Sequence, residues 1–348
     1  MLKQCLFLLL ASTLSLHKTA ADNCPCGYVL NSTQWGGSTI FTNKILTDFT
    51  NPKPSLTWSD DPGFDWQAQA YSVSASSARG PYGKLAQTGN VVLSGSDGLD
   101  LNVRSQTMDG MVPMAEVVTS RTDILHGSFR LGMQTPTTNG TCAAFFFYHD
   151  DSQEIDIEIL SAQQNSPADP GKHPANLVLQ SPASVSAGYN AAGTPDFTRY
   201  NLTFDPTAVV HEYRFDWLGD RIDMFADGHW LNSFYDNLPS QAGAIHMIHW
   251  SNGDPGWSGG PPATDAVMKV TYAELFFNTS QSSLPGWCEV KDFCPIPALP
   301  GPPDTAAGGD GGATAPTAKS ESGRAVGCSF GLWYSVVGWC IMIVMSRL

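Results

Sequence analysis

Three carboxylates stand at alternate positions in the stretch Ser152–Leu160, which reads SQEIDIEIL. The isoleucines between Glu154, Asp156 and Glu158 favour a β-strand, and the side chains of a strand alternate between its two faces. The strand would therefore bury the isoleucines and place all three acids on the opposite face. Because like charges two residues apart repel each other, the arrangement is costly, and we expect it to serve chemistry.

The first and third acids are suited to cleaving a glycosidic bond. Their Cα atoms would lie about 13 Å apart on a strand, and glutamates that lean inward can bring their carboxyls to the ~5–5.5 Å of retaining cleavage. One carboxylate would attack the anomeric carbon while the other protonates the leaving oxygen, with Asp156 able to hydrogen-bond to either. A neighbouring negative charge raises the pKa of the acid. This pKa falls once the nucleophile is glycosylated, so the same group can then act as a base.

The segments that must position these acids are also predicted to be strands. HEYRFDW and VMKVTYAEL alternate apolar with polar residues, and RIDMFADGHWLNSF carries Asp227-Gly228 between two apolar runs, which is a strong hairpin signal. The chain contains 33 Gly and 24 Pro, as expected for many turns, and no long segment keeps a helical period. We predict an all-β, antiparallel β-sandwich of two packed sheets, formed by one domain over residues 22–296.

The two ends of the chain predict a secreted, surface-attached protein. Residues 1–21 combine Lys3, an apolar run and small residues before Asp22, which is typical of a signal peptide. Residues 297–324 form a Pro-, Gly-, Ala- and Ser-rich linker. Residues 325–348 are apolar, and because almost nothing follows this run, a GPI-anchor signal is favoured over a single membrane span. Four glycosylation sequons fit the secretory route, at Asn31, Asn139, Asn201 and Asn278.

Five of the eight cysteines lie in the predicted domain. Cys24 and Cys26 are too close to pair comfortably with each other, so bridges to Cys288 and Cys294 would join the two ends of the domain; which cysteine pairs with which stays open. Cys142 is left over, either buried and free or in an unexpected pair.

Composition points to an uncharged, ring-shaped ligand. A net charge of −14 makes nucleic-acid binding improbable, whereas 11% of the residues are aromatic. Trp250 and Trp257 are candidate platforms for a sugar ring, with core packing as the alternative, and Tyr148 is either in the cleft or in a buried strand. His246 and His249 have no third ligand nearby and are interpreted as structural. No metal or cofactor is predicted.

Several motifs resemble glycoside hydrolase family 16, a β-jelly-roll family of β-glucan-active enzymes and transglycosylases. EIDIE resembles its E-x-D-x-E signature, and SRTDILHGSFRL, HEYRFDWLGDRIDMFADG and WSNGDPGWSGGPP resemble further segments, in the family's order. The resemblance implies a jelly roll of the concanavalin A type. It also implies that Glu154 is the nucleophile, Glu158 the general acid/base and Asp156 the assisting carboxylate. Gln153 replaces an Asp that many members carry, which is expected to affect the pH optimum.

We therefore expect a retaining glycosidase that cleaves β-1,3 or mixed-linkage β-glucan during cell-wall remodelling, and that acts as a monomer. A transglycosylase that transfers chitin or glucan chains to wall glucan is the first alternative. A non-catalytic, lectin-like module on the same scaffold is the second, and a structural wall protein is the third. In the two enzymatic readings the partner is a polysaccharide, and the only membrane contact is the C-terminal anchor.

Overall fold

The computed structural model describes residues 24–296, except for residues 33–36, 52, 60, 62, 77–79, 165 and 168. The predicted signal peptide, linker and apolar tail lie outside the described residues, so those three interpretations stay predictions. Within the described ranges no helix is both long and apolar enough to cross a bilayer.

Regular structure in the described part of the chain is almost entirely β-strand. Two short α-helices interrupt it, α1 (Ser161–Gln164) and α2 (Pro182–Ser186), together with three single-turn 3-10 helices at Thr88–Asn90, Gly95–Asp97 and Val290–Asp292. The strands in chain order are β1 Gly27–Ser32, β2 Gly37–Phe41, β3 Asn43–Asp48, β4 Leu56–Thr57, β5 Trp66–Ala68, β6 Tyr71–Val73, β7 Gly83–Ala86, β8 Val91–Leu93, β9 Leu99–Val103, β10 Met111–Thr119, β11 Leu125–Gln134, β12 Cys142–Asp150, β13 Gln153–Leu160, β14 His173–Gln180, β15 Phe197–Leu202, β16 His211–Trp217, β17 Ile222–Ala226, β18 His229–Phe234, β19 Ala244–Trp250, β20 Ala266–Asn278 and β21 Phe293–Pro295.

These strands form three sheets among the described residues. A ten-stranded sheet has the order β15-β14-β13-β12-β19-β10-β5-β4, with β7 beside β10 and β6 beside β7. An eight-stranded sheet has the order β18-β17-β16-β11-β20-β9-β8, with β3 beside β20. A small sheet has the order β2-β1-β21. Pairing is antiparallel except at β1–β21, β4–β5 and β7–β10, and the predicted all-β sandwich is confirmed.

The main apolar core brings together side chains of the two larger sheets, and it fixes the orientation of β13. Ile155, Ile157 and Ile159 are buried in this core, where Phe147 of β12 packs on Trp217 of β16 with ring centres 4.4 Å apart. Because strand side chains alternate, a slip of one residue would exchange the isoleucines with the acids. The buried isoleucines therefore hold the three carboxylates on the opposite side of the ten-stranded sheet, which we call the cleft face.

The predicted staple between the domain ends is confirmed. Cys24 pairs with Cys294 and Cys26 with Cys288, next to the parallel pairing of β1 with β21. Cys142 is free and buried. The predicted Asp-Gly turn lies between β17 and β18, and both of its residues have the positive φ that such hairpin turns require.

Candidate active site

The three acids of β13 lie on the cleft face between β12 and β14. Ala144 and Phe146 of β12 are directly opposite Glu158 and Asp156 in the register of the pair. The small alanine leaves room beside Glu158. Glu154 and Glu158 are half-buried, and Asp156 between them is only 5% exposed. The strand therefore presents three carboxyls in one row, with the middle one deepest.

A cavity of about 530 Å³ opens over this row, and all three acids line it. Its other walls come from β6, β7, β12, β14, β15 and β19, from the loop after α2 and from the segment after β19. Six further lining residues are used below: Tyr82, Lys84, Tyr189, Phe197, Trp250 and Trp257. The acids thus share one solvent-connected space, as two-step chemistry at a sugar requires.

Burial raises the pKa of every acid in the row. It raises the pKa of Glu154 to about 8, with the negative charge of Glu158 adding to the rise. The pKa of Asp156 is raised well above its usual range by burial, by the charges of both glutamates and by a hydrogen bond with Glu154. The same hydrogen bond opposes the rise at Glu154. This is the pattern of a protonated Asp156 that donates to the Glu154 carboxylate and favours its ionised form.

Glu158 is surrounded by hydrogen-bond donors. Burial raises its pKa to about 7, and three groups oppose the rise: the Cys142 thiol, the charge of Lys84 and the side chain of Trp257. Cys142 Sγ donates to Glu158 Oε1 across 3.3 Å. At neutral pH Glu158 is therefore near the middle of its titration, which suits a group that must both give and take a proton.

Lys84 lines the cavity, and the sequence patterns did not single it out. Among the described residues that line the cavity it is the only Lys or Arg. Its charge lowers the pKa of both Glu154 and Glu158, and its Nζ lies 4.6 Å from the centre of the Trp250 ring. Trp250 does line the cavity, but Lys84 occupies one face of its ring.

Of the other two aromatic residues predicted to bind sugar, one lines the cavity and one does not. Trp257 lines the cavity, half-buried, with its ring centre 6.2 Å from that of Phe197. Tyr148 is not among the lining residues, and its hydroxyl instead donates to Asp151 across 3.0 Å. Tyr82 and Tyr189 line the cavity in its place. Both lie in turn-rich segments, PYGK and SAGYNAAG, and aromatic residues in such loops are a signal that could have identified them.

The two histidines belong to internal networks. His246 Nδ1 lies 2.7 Å from Glu116 Oε1, the buried Glu116 also accepts a hydrogen bond from the Tyr71 hydroxyl, and the His246 ring stacks on Phe146. His249 is fully buried and bonded to a backbone carbonyl, and burial lowers its pKa to about 4. Across the part of the chain that the structure describes, no three His, Cys, Asp or Glu side chains are grouped to hold a metal ion.

Gln153 anchors a neighbouring loop. Its Oε1 accepts hydrogen bonds from the backbone N–H groups of Ser240 and Gln241 at 2.9 and 3.0 Å. The residue at this position therefore positions the segment between β18 and β19.

Comparisons with known proteins agree with this architecture. The sequence model described as glycosyl hydrolases family 16 matches residues 82–274. A beta-glucanase of Brevibacillus brevis is 28% identical over 142 residues, covering 38% of this chain and 48% of that protein. Congo red hypersensitive protein 1 of Saccharomyces cerevisiae is 23% identical over 227 residues, covering 62% of this chain and 40% of that protein. The chain thus spans about half or less of the length of these curated relatives.

Solved structures also share the fold. A crystal structure of a prokaryotic beta-1,3-1,4-glucanase (lichenase) from a mouse hindgut metagenome superposes with a TM-score of 0.51 at 20% sequence identity. The match covers 68% of this chain and 100% of that one.

Proposed function

The chain belongs to glycosyl hydrolases family 16, and on that premise we propose that it is a retaining glycosidase acting on β-1,3 or mixed-linkage β-glucan. One observation carries the proposal: Glu154 and Glu158 project from the same face of β13 into one cavity. In this proposal Glu154 is the nucleophile, Glu158 the general acid/base and Asp156 the carboxyl that supports Glu154.

The first half-reaction uses the two glutamates together. The Glu154 carboxylate attacks the anomeric carbon, the glycosidic C–O bond breaks, and Glu158 gives its proton to the departing oxygen. The product is a glycosyl ester on Glu154. Glu154 has the higher pKa of the two glutamates, so the attack uses the protonation state in which Glu154 is ionised and Glu158 keeps its proton. Asp156 keeps its own proton and directs it at Glu154, and this hydrogen bond favours that state.

In the second half-reaction the ester is cleaved with Glu158 acting as a base. Ester formation removes the charge of Glu154, and the ionised Glu158 now takes a proton from the incoming hydroxyl. That hydroxyl attacks the anomeric carbon, and Glu154 leaves as a carboxylate. Water as the attacking group gives hydrolysis, and a sugar hydroxyl gives transglycosylation.

The composition of the cavity lining favours the binding of an uncharged substrate. Tyr82, Tyr189, Phe197 and Trp257 offer rings to the apolar faces of pyranoses. The three acids, Asp151 and Asp254 also line the cavity, and the described residues of its lining include one lysine and no arginine. A polyanionic polysaccharide would be repelled by this surface, whereas a neutral glucan would not.

Transglycosylation, with transfer of chitin or glucan chains to wall glucan, is the second candidate. We infer a secreted, cell-surface location from the predicted signal peptide and C-terminal anchor, and the two disulfides support an oxidising compartment. An enzyme attached to its own cell surface is better placed to remodel a wall than to digest a distant polymer. A lectin-like role is less favoured, because sugar binding alone gives no reason to bury three acids in one row.

The test incubates the purified protein with β-glucan or chitin oligomers and a fluorescent acceptor sugar. New reducing ends indicate hydrolysis, and a redistribution of chain lengths with label in longer products indicates transfer. Binding without either product in the unmodified protein would contradict the enzymatic proposal and favour the lectin. The Glu154→Gln protein serves as the control, since it should bind oligomers without turning them over.

A further inference from the structure

Cys142 is a buried group for which the proposed mechanism has no role. It is the first residue of β12, it is free and buried, and its side chain belongs to an apolar cluster that also contains Ala144, Phe146 and Leu160. Trp250 and Trp257 pack against the same cluster. An ordinary apolar residue would fill this place, yet the thiol lies 3.3 Å from Glu158 Oε1.

The chemistry of this thiol is that of a hydrogen-bond donor. Burial raises its pKa well above the usual range, and the charge and hydrogen bond of Glu158 add to the rise. A thiol held protonated in this way is a poor nucleophile and a poor target for oxidants. What remains to it is the S–H group, which points to a carboxylate oxygen.

Other charged groups around Glu158 bear on the same carboxyl. On its own strand these are Asp156 and Glu154, and Lys84 acts on it from β7. On the β14 side the register partner of Glu158 is the neutral Asn176, whose Oδ1 accepts a hydrogen bond from Arg199 of β15.

The remaining groups lie further along the sheet or in the loop. On β19 and β10, Glu116 lies 2.7 Å from His246 Nδ1, accepts a hydrogen bond from the Tyr71 hydroxyl and is influenced by the charge of Lys84. The loop after β19 adds Asp254 to the cavity lining, and Trp257 of that loop hydrogen-bonds to Glu158. Within the described residues, the side chains of Cys142 and Trp257 hydrogen-bond to the Glu158 carboxyl.

We propose that Cys142 is a positioning residue: its S–H holds the Glu158 carboxyl in the orientation for proton transfer and stabilises that carboxyl each time it gives up its proton. The inference rests on the proposed role of Glu158 as general acid/base. Hydrogen bonds to an ionised acceptor are stronger than those to a neutral one, so the contact strengthens when Glu158 loses its proton and weakens when it is protonated again. A thiol is a weak donor, and it therefore tunes the acid without fixing it in the ionised form.

The experiment compares the pH dependence of kcat/KM for the unmodified protein, Cys142→Ala and Cys142→Ser. Glu158 has the lower pKa of the two glutamates, so its ionisation governs the acid limb of the profile. Ala removes the donor, so ionised Glu158 loses support and this limb should move to higher pH by about half a pH unit. Ser supplies a hydroxyl donor, so its limb should stay at or below that of the unmodified protein. If the Ala protein does not fold, Cys142→Val replaces it as the variant of similar volume without a donor.

A role confined to packing would lower the melting temperature and leave the limb in place for all variants, and that result would overturn the inference. A downward shift in Cys142→Ala would also overturn it. An unmodified protein without turnover would instead be a failure of the proposed function. In that case infrared spectroscopy still tests the hydrogen bond between Cys142 and Glu158. The S–H stretching band of Cys142 is isolated by subtracting the Cys142→Ala spectrum. It should shift between about pH 5 and about pH 9 as Glu158 ionises, and should not shift in Glu158→Gln; an unshifted band in the unmodified protein contradicts the inference.

Discussion

Strands β13 and β16 have the same alternating pattern, but their charged faces differ in one respect. Each buries three apolar side chains in the shared core and turns three charged side chains away from it. The charged positions are Glu154, Asp156 and Glu158 on β13 and Glu212, Arg214 and Asp216 on β16. The middle residue is an acid on β13 and an arginine on β16.

The sign of the charge on the middle residue determines whether the charged side chains of the strand attract or repel one another. On β16 the guanidinium of Arg214 lies 2.7 Å from Asp216 Oδ2, and burial raises the pKa of Glu212 while the charges of Arg130 and Arg214 oppose the rise. On β13 the neighbouring charge on the strand adds to the effect of burial, and the opposing cation, Lys84, comes from another strand. A row of side chains with opposite charges stabilises the fold. A row of like charges destabilises it and therefore indicates a catalytic site.

The largest expected effect comes from the same substitution made on each strand. Glu154→Gln should lower kcat/KM by more than about 10⁴-fold, because the amide cannot attack the anomeric carbon. Glu212→Gln should leave activity within about threefold, since Glu212 projects from the other sheet. Release of reducing ends from β-glucan oligomers measures both. Equal losses in the two variants would show that β13 holds no special role.

An intermediate effect concerns stability, and it should have opposite signs on the two strands. Folding raises the pKa of Glu158 from its usual 4.5 to about 7. The stability of the folded protein is therefore fully present while Glu158 is protonated at low pH, and it falls by roughly 3 kcal/mol as the pH rises from about 4.5 to about 7. Glu158→Gln should melt like the unmodified protein near pH 4 and at higher temperature near pH 9.

The counterpart on β16 is Asp216→Asn. Asp216 is 2% exposed, and its loss leaves Arg214 without its partner, which should destabilise the fold by about 3 kcal/mol. Thermal melts across the same pH range test both variants. A Glu158→Gln protein that is less stable than the unmodified one near pH 9 would contradict the comparison.

The smallest expected effect tests the cation of the cleft. Lys84 lowers the pKa of both glutamates, so Lys84→Met should raise both and move the whole pH profile of kcat/KM upward by about half a pH unit. The control is Lys269→Met, because Lys269 pairs with Asp100 on the eight-stranded sheet, Nζ to Oδ1 3.3 Å. That variant should keep the original profile, and a shift of equal size would assign the effect to net charge alone.

Local sequence patterns correctly predicted the structural features that depend on residues close together in the chain. The alternation of isoleucine and acid predicted the two faces of β13, the Asp227-Gly228 pair predicted the hairpin, and the spacing of the terminal cysteines predicted their staple. Each is fixed by strand geometry or by the few conformations that a turn allows. The catalytic roles of the three acids stay predictions.

The rest of the site depends on which strands become neighbours. Lys84 reaches the acids because β7 joins the sheet beside β10, and Cys142 meets Glu158 because β12 and β13 pair in one particular register. Tyr189 lies in the loop after α2, and no periodic sequence pattern predicts the conformation of that loop. The nearness of Tyr148 to Glu154 in the sequence suggests a place in the cleft, whereas in the structure its hydroxyl donates a hydrogen bond to Asp151. Long-range pairing of this kind is not visible in a single stretch of sequence.

The paired cysteines close most of the folded domain into covalent rings, with sequence separations of 270 and 262 residues. Proteases cut first at exposed loops, such as residues 187–193. A single cut at such a loop would not separate the halves, because each remains tied to the other through both bridges. The nicked chain would stay one molecule, held in place to re-form its sheets, for as long as its surroundings keep the cysteines oxidised.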